Sequence, residues 1–223
     1  MYSLYQGYAH FRTNVYPKTA DLFRALANGQ KPPVCLITCS DSRVVPETIL
    51  QTIPGEVFVI RNAGNLVPTW GETHSGVAAS IEYAVAAVKV QHLVVCGHSS
   101  CGALREVLER KHVQTLPAVT AWLEHAGPSA RWLAALLHDT VGVSEDHKLR
   151  LLTEANVLTQ ISHLHQYPAV AAAVASGSLQ IHGWMFDIGT AELRVLDQEA
   201  GVFRPAPILS DQEDSLESEQ KIA

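Results

Sequence analysis

Apolar residues recur along this chain in two alternating periods. Val34 to Cys39 is a short apolar run opened by Pro32-Pro33, and Glu56 to Arg61 is a second that follows the turn signal Pro54-Gly55. Both read as buried strands. Glu72 to Val90 is rich in alanine and valine, with Ile81, Val85 and Val88 at helical spacing. It leads into Gln91 to Cys96, a third buried strand that Gly97 closes, and Cys101 to Lys111 reads as the next helix. From Pro117 to Leu137 the residues Val119, Trp122, Leu123, Ala126, Trp132, Leu133 and Leu136 fall near the helical period, and Gly127-Pro128 divides the stretch into two helices. Asp146 to Gln166 predicts a further amphipathic helix, and Pro168 to Ser176 a short one stopped at Gly177. The period then changes. Leu179 to Asp187, the turn Ile188-Gly189-Thr190 and Ala191 to Leu196 read as a hairpin, while Tyr8 to Ala27 is helical in pattern and ends near Asn28-Gly29.

Strands alternating with helices predict an α/β fold: a central, mostly parallel β-sheet with an antiparallel edge strand, helices on both faces and an N-terminal helical arm. No internal repeat or interior linker interrupts it. A chain of 223 residues with 47% apolar side chains suits one globular domain with at most an appendage. No run approaches the ~20 apolar residues of a membrane span, and the first residues lack the basic and apolar regions of a signal peptide, so a cytoplasmic protein is expected. The net charge of −6 argues against nucleic-acid binding, which needs clustered Lys and Arg. Much of that charge sits in the last residues, where Asp211, Glu213, Asp214, Glu217 and Glu219 face a single Lys221. This tail is expected to be solvated and mobile.

Four cysteines in a chain of this size suit a reducing compartment, where thiols serve as ligands or nucleophiles rather than as a disulfide frame. In open α/β sheets, functional groups gather beyond the carboxyl ends of the strands. Two such ends are chemically loaded here: Cys39-Ser40-Asp41-Ser42-Arg43 and Gly97-His98-Ser99-Ser100-Cys101-Gly102. Cys39, His98 and Cys101 make a sulfur and imidazole set of the kind zinc prefers, with the fourth tetrahedral position left for water. His98 is expected on the turn after the third strand and Cys101 at the start of the following helix, whose dipole favours thiolate. Two thiolates neutralise a zinc ion, so its bound water needs help to ionise. In an extended segment Cys39, Asp41 and Arg43 share one face, which would place a carboxylate and a guanidinium beside the metal. Asp41 then accepts a hydrogen bond from zinc-bound hydroxide while Arg43 keeps it ionised. Cys35 and Cys96 lie within apolar strands and read as small hydrophobes.

At these residues the sequence resembles the β-class carbonic anhydrases, whose hallmarks are Cys-x-Asp-x-Arg and a later His-x-x-Cys. The intervening Arg61-Asn62-Ala63-Gly64-Asn65 is similar to another of the family's signatures, and the likeness spans about residues 8 to 205. The resemblance implies reversible hydration of CO2 to bicarbonate and a proton, with zinc on Cys39, His98 and Cys101 and with Asp41 and Arg43 as a catalytic dyad. It implies an arm at residues 1–28 that embraces a partner and a zinc domain at 29–205, which the acidic tail, 206–223, follows. It also implies a dimer as the minimal active unit, with tetramers or octamers built from it. Gln30, Phe58 and Tyr83 match the substrate pocket of the plant-like, open-site branch, with Gln30 donating to substrate and the two rings forming walls. The bicarbonate-regulated branch carries a Trp three residues before the first zinc cysteine, where this chain has Leu36. Asp41 is therefore expected free of the metal and paired to Arg43.

Two other readings share these residues. A hydrolase of CS2 or COS would use the same zinc site, and a non-catalytic zinc scaffold would close it with Cys35 or Cys96 as a fourth ligand. A thiol redox enzyme lacks the CxxC spacing it would need. His74 is a candidate proton shuttle in a polar loop, while His163, His165 and His182 read as packing or surface groups.

Overall fold

The computed structural model describes residues 1–71, 75–109 and 115–208. His74 and most of the acidic tail lie outside the described residues. A six-stranded sheet runs in the order β2-β1-β3-β4-β5-β6. Its strands are β1 (Val34–Cys39), β2 (Val57–Asn62), β3 (His92–His98), β4 (Gln180–Phe186), β5 (Leu193–Asp197) and β6 (Val202–Pro205). The first four in spatial order are parallel, and β5 and β6 follow antiparallel. The chain leaves β1 towards β2 on one side and returns as β3 on the other. The carboxyl ends of β1 and β3 therefore flank the switch point where an open sheet binds its ligands.

Alternate residues of the strands face different layers. Cys35 and Ile37 of β1, Leu93 and Val95 of β3, and Ile181 and Met185 of β4 form the main core. Helices cover this face: α4 (Gly76–Glu82), continued by a π-helical turn at Tyr83–Val88, then α8 (Glu145–Leu164) and α9 (Pro168–Ala175). Leu36, Val94 and Cys96 face the other way, under Ile49 and Leu50 at the end of the short α3 (Pro46–Ile49) and under Ile188 and Leu193. A third cluster joins α5 (Gly102–Glu109), α6 (Pro117–Leu123), α7 (Gly127–Leu136) and α8, with Cys39 and Cys101 at its edge. Among the described residues no helix is long and apolar enough to cross a membrane.

Gly97 does not close β3; the strand continues through His98, paired with Phe186. Its missing side chain serves packing instead. A Cβ at Gly97 would lie 2.9 Å from Met185 Sδ and 3.0 Å from Val157 Cγ2, and one at Gly183 would lie 3.0 Å from Val157 Cγ1. These two glycines let α8 settle against β3 and β4. The hairpin expected at the end of the chain forms as β4–β5. It is extended by β6, which the sequence did not announce because the short Val-Phe-Arg-Pro run has no clean alternation.

Helix in the N-terminal arm begins at Tyr2, ahead of the helical pattern read from Tyr8. It runs as α1 (Tyr2–His10), a π-helical turn at Phe11–Val15 and α2 (Tyr16–Leu26). None of its residues is buried. Phe11, Tyr16 and Phe23 pack on one another with centroids 5.6 to 6.2 Å apart. Tyr2, Leu4, Tyr5 and Tyr8 remain exposed. Leu26 meets the body at Gly55, where an added Cβ would lie 2.7 Å from Leu26 Cδ2 and where φ is +96°.

Helix α8 and Tyr167, the N-cap of α9, also carry a polar stripe that grips the loop after β2. Asn156 Nδ2 donates to Gly64 O at 3.2 Å, Gln160 Oε1 accepts the Val67 N–H at 2.8 Å, His163 Nδ1 meets Val67 O at 2.8 Å and the Tyr167 hydroxyl donates to Pro68 O at 2.9 Å. Gln160 is fully buried and also donates to Asn156 Oδ1 at 2.8 Å. Replacing Gln160 by leucine keeps the volume but orphans the Val67 N–H. The expected cost is about 3 kcal/mol, since each buried unpaired polar group costs roughly 1–3. Thermal melting checks it, with a fall of roughly 6–12 °C expected for a chain of this length.

Candidate metal centre

Cys39 ends β1, His98 ends the adjacent β3, and Cys101 immediately precedes α5 and accepts the Arg105 N–H at 3.0 Å as its first turn closes. Their ligand atoms all lie within 4.8 Å of one another, and all three residues are buried. The two sulfurs are 4.0 Å apart. His98 Nδ1 lies 2.9 Å from Ser99 O. A carbonyl only accepts, so Nδ1 carries the ring proton and Nε2 is left with a bare lone pair. That Nε2 is buried with no hydrogen-bond partner. A buried orphan acceptor beside two thiols is what a metal ligand looks like without its ion, so the donor set fits a zinc ion.

The two sulfurs share one proton. A hydrogen bond from the Cys101 thiol, assisted by the Gly64 N–H at 3.4 Å, brings Cys39 down to about 4 against the opposing effect of burial. The same bond, burial and the Cys39 charge push the Cys101 thiol up, outweighing the backbone N–H groups of Ala103 and Leu104 at the helix start. The pair therefore gives up its first proton readily and its second with difficulty. A dication must displace the remaining proton to bind both sulfurs. Zinc affinity is accordingly expected to rise with pH, the sulfurs contributing about one log unit per pH unit over roughly pH 6.5 to 8.5. Competition with a chelator at several pH values measures this slope.

Asp41 and Arg43 do come together, though not by the extended geometry expected. The chain turns after Cys39, with the Val44 N–H donating to Asp41 O at 3.0 Å. Within that turn Asp41 Oδ1 accepts from Arg43 N at 3.0 Å and Arg43 Nε at 2.9 Å, and Oδ2 accepts from a guanidinium nitrogen at 2.7 Å. A two-residue spacing closed by an aspartate to backbone bond makes an Asx turn, which folds the pair together. These hydrogen bonds hold the Asp41 carboxyl well below the usual carboxylate range. Its Oδ2 lies 4.0 Å from His98 Nε2. Arg43 also donates to Ser100 O at 3.1 Å, tying the first motif to the second.

A family model described as carbonic anhydrase matches residues 34–193. The chain is 46% identical over 194 residues to a carbonic anhydrase of Synechococcus elongatus, covering 86% of this chain and 70% of that protein. It is 44% identical to one of Pseudomonas aeruginosa, covering 88% of each. Among solved structures, the β-carbonic anhydrase CcaA superposes with a TM-score of 0.88 at 35% identity, over 92% of this chain and 99% of that one. A tetrameric β-carbonic anhydrase from Sordaria macrospora gives 0.77 at 34%, over 88% and 95%. The chain belongs to the β-class carbonic anhydrases.

Not every residue expected in the site of this β-carbonic anhydrase reaches the centre within one chain. Phe58 lies on β2 opposite Cys35, four positions before Asn62, which pairs with Cys39. That is about 13 Å along the strand. Tyr83 touches Phe58 with centroids 6.2 Å apart and is exposed, and Gln30 is exposed in the link between α2 and β1. Cys35 and Cys96 stay outside the ligand set. Both pack in apolar layers, where burial pushes each thiol up to about 12. His182 pairs with His92, Nε2 to Nδ1, at 3.1 Å on the sheet, and His163 serves the α8 stripe.

One residue that braces the centre was not legible as such. Arg61, at the end of β2, donates to Cys39 O at 3.1 Å, Asp41 O at 2.8 Å and Val44 O at 2.7 Å, so it braces the whole turn that carries the first ligand and the carboxylate. Its position in the Arg-Asn-Ala-Gly-Asn segment was the only signal. No spacing rule links a strand-end arginine to carbonyls about twenty residues away.

Proposed function

We propose that this chain catalyses the reversible hydration of CO2 to bicarbonate and a proton, with a zinc ion held by Cys39 Sγ, His98 Nε2 and Cys101 Sγ. The observation that carries the proposal is the bare, buried Nε2 facing two sulfurs with an ionised carboxylate 4.0 Å away. Bound there, zinc supplies the Lewis acidity that makes a water nucleophilic near neutral pH. The chain's own residues do the rest. Arg43 fixes both oxygens of Asp41, so the carboxylate stays ionised and keeps its orientation as an acceptor for the hydrogen of the attacking water. Arg61 and the Gly64 N–H hold Cys39 in place while this happens.

Gln30, Phe58 and Tyr83 belong to the substrate pocket in this reading, delivered to the centre from a second copy of the chain. The separation of Phe58 from Cys39 within one chain and the uncovered aromatic face of α1 both support an active dimer embraced by its arms. Higher assembly follows the same logic, and the Sordaria relative is tetrameric. A cytoplasmic setting fits a centre that needs both sulfurs reduced.

Stopped-flow CO2 hydration tests the proposal directly. Rapid, zinc-dependent turnover is expected. Turnover of CS2 or COS with negligible activity on CO2 would assign the same centre to a different electrophile and overturn it.

A further inference from the structure

Ser99 lies between the ligands His98 and Cys101 and is held to the β4–β5 turn at several points. Its N–H donates to Phe186 O at 2.9 Å, and its hydroxyl oxygen accepts the Ile188 N–H at 2.9 Å. Its carbonyl accepts from His98 Nδ1 at 2.9 Å. The next residue, Ser100, sits at φ +56°, a left-handed conformation that costs a side-chain-bearing residue about 1–2 kcal/mol. A short, strained link between two ligands thus depends on outside anchors to keep its peptide planes fixed.

The turn that receives Ser99 has its own cap. Asp187 Oδ1 accepts the N–H groups of Gly189 and Thr190, both at 2.9 Å. Asp197 caps the β5–β6 turn in the same way, accepting from Glu199 at 3.2 Å and Ala200 at 3.0 Å. That second turn closes with Arg204 on its aspartate rather than a loop serine. The bond between Ser99 and Ile188 is therefore not needed to form such a turn, and its other end is the peptide that accepts from His98.

We infer that the Ser99 hydroxyl is a positioning residue for the metal centre: by docking on Ile188 it fixes the carbonyl that holds the His98 ring, and so keeps Nε2 aimed at the two sulfurs. The inference rests on the metal-centre reading above. A histidine ligand whose other nitrogen is firmly bonded keeps one tautomer and one ring direction, and loosening that bond weakens the hold on the ion.

The test uses Ser99→Thr and Ser99→Val, which have nearly the same shape and differ in the hydroxyl. The readout is the rate at which zinc passes from the full-length protein to a chromophoric chelator, with the visible spectrum of the cobalt-substituted protein as a second signature. The threonine variant is expected to release zinc as slowly as wild type. The valine variant is expected to release it about tenfold faster, the lower end of the ~10–100-fold range for outer partners of a ligating histidine. Its cobalt bands should shift while those of the threonine variant do not. If Ser99→Val does not fold, Ser99→Ala makes the same comparison with less bulk. Less than about a threefold difference between the hydroxyl-bearing and hydroxyl-free variants overturns the inference. Wild-type protein that takes up no zinc would instead sink the reading of the centre itself.

Discussion

Replacing Cys101 by serine is expected to remove the metal and, with it, almost all CO2 hydration. The position is fully buried, and its sulfur sits 4.0 Å from Cys39 Sγ, with His98 Nε2 in the same cluster. A serine hydroxyl fills nearly the same space but does not ionise near neutral pH, so it offers zinc neither the charge nor the softness of a thiolate. One thiolate and one imidazole then remain, which is fewer protein ligands than catalytic zinc sites use. Metal analysis should find the purified variant nearly empty. Hydration should fall by roughly 10³-fold or more, equivalent to about 4 kcal/mol of lost transition-state stabilisation. The melting temperature of the metal-free variant should stay close to that of metal-free wild type, because the substitution leaves the packing around α5 and α8 intact. A variant with full zinc content would mean that another group replaces Cys101 and that the ligand set has been misassigned.

That these three donors meet was readable from the chain alone, because it depends on donor chemistry and on where strands end. Two buried strands followed by Cys39 and by His98 with Cys101 suffice to bring the three together at a switch point, and the sheet order shows that they do. The Asp41–Arg43 pair was also found, but through a different backbone. An alternation rule placed them on one face of an extended segment, whereas the Asp41 carboxylate accepts from Arg43 N and turns the chain. Both geometries give neighbours at a spacing of two, so the sequence alone could not separate them.

The misreadings have a common physical origin. Gly97 looked like the end of a strand because glycine punctuates chains, yet here it makes room for Val157 of α8. That need is set by a helix far along the sequence. The bonds of Arg61 to the carbonyls of Cys39, Asp41 and Val44, and those of Asn156, Gln160, His163 and Tyr167 to the loop after β2, likewise join residues of different elements. Local pattern specifies elements and donor types. The partners that brace a site lie from 17 positions away, as in Arg61 on Val44 O, to 99, as in Tyr167 on Pro68 O, and they carry no periodic signal.

Loss of the Asp41 charge should separate catalysis from metal binding. Asp41→Asn and Arg43→Ala are each expected to retain zinc, since neither residue belongs to the three-donor set. Each should nevertheless lose roughly 10²–10³-fold in turnover, the scale of removing a positioned proton acceptor or its electrostatic support. The two act as one unit: Arg43 bonds both carboxylate oxygens, at 2.9 and 2.7 Å, and Asp41 is ionised and oriented because of it. The double variant should therefore be little worse than either single one, a non-additivity typical of groups that share one function. Stopped-flow rates with zinc content measured on the same samples decide the matter. Additive losses would mean that Arg43 acts on substrate independently of Asp41, and loss of metal in either single variant would move the pair from catalysis to construction of the centre.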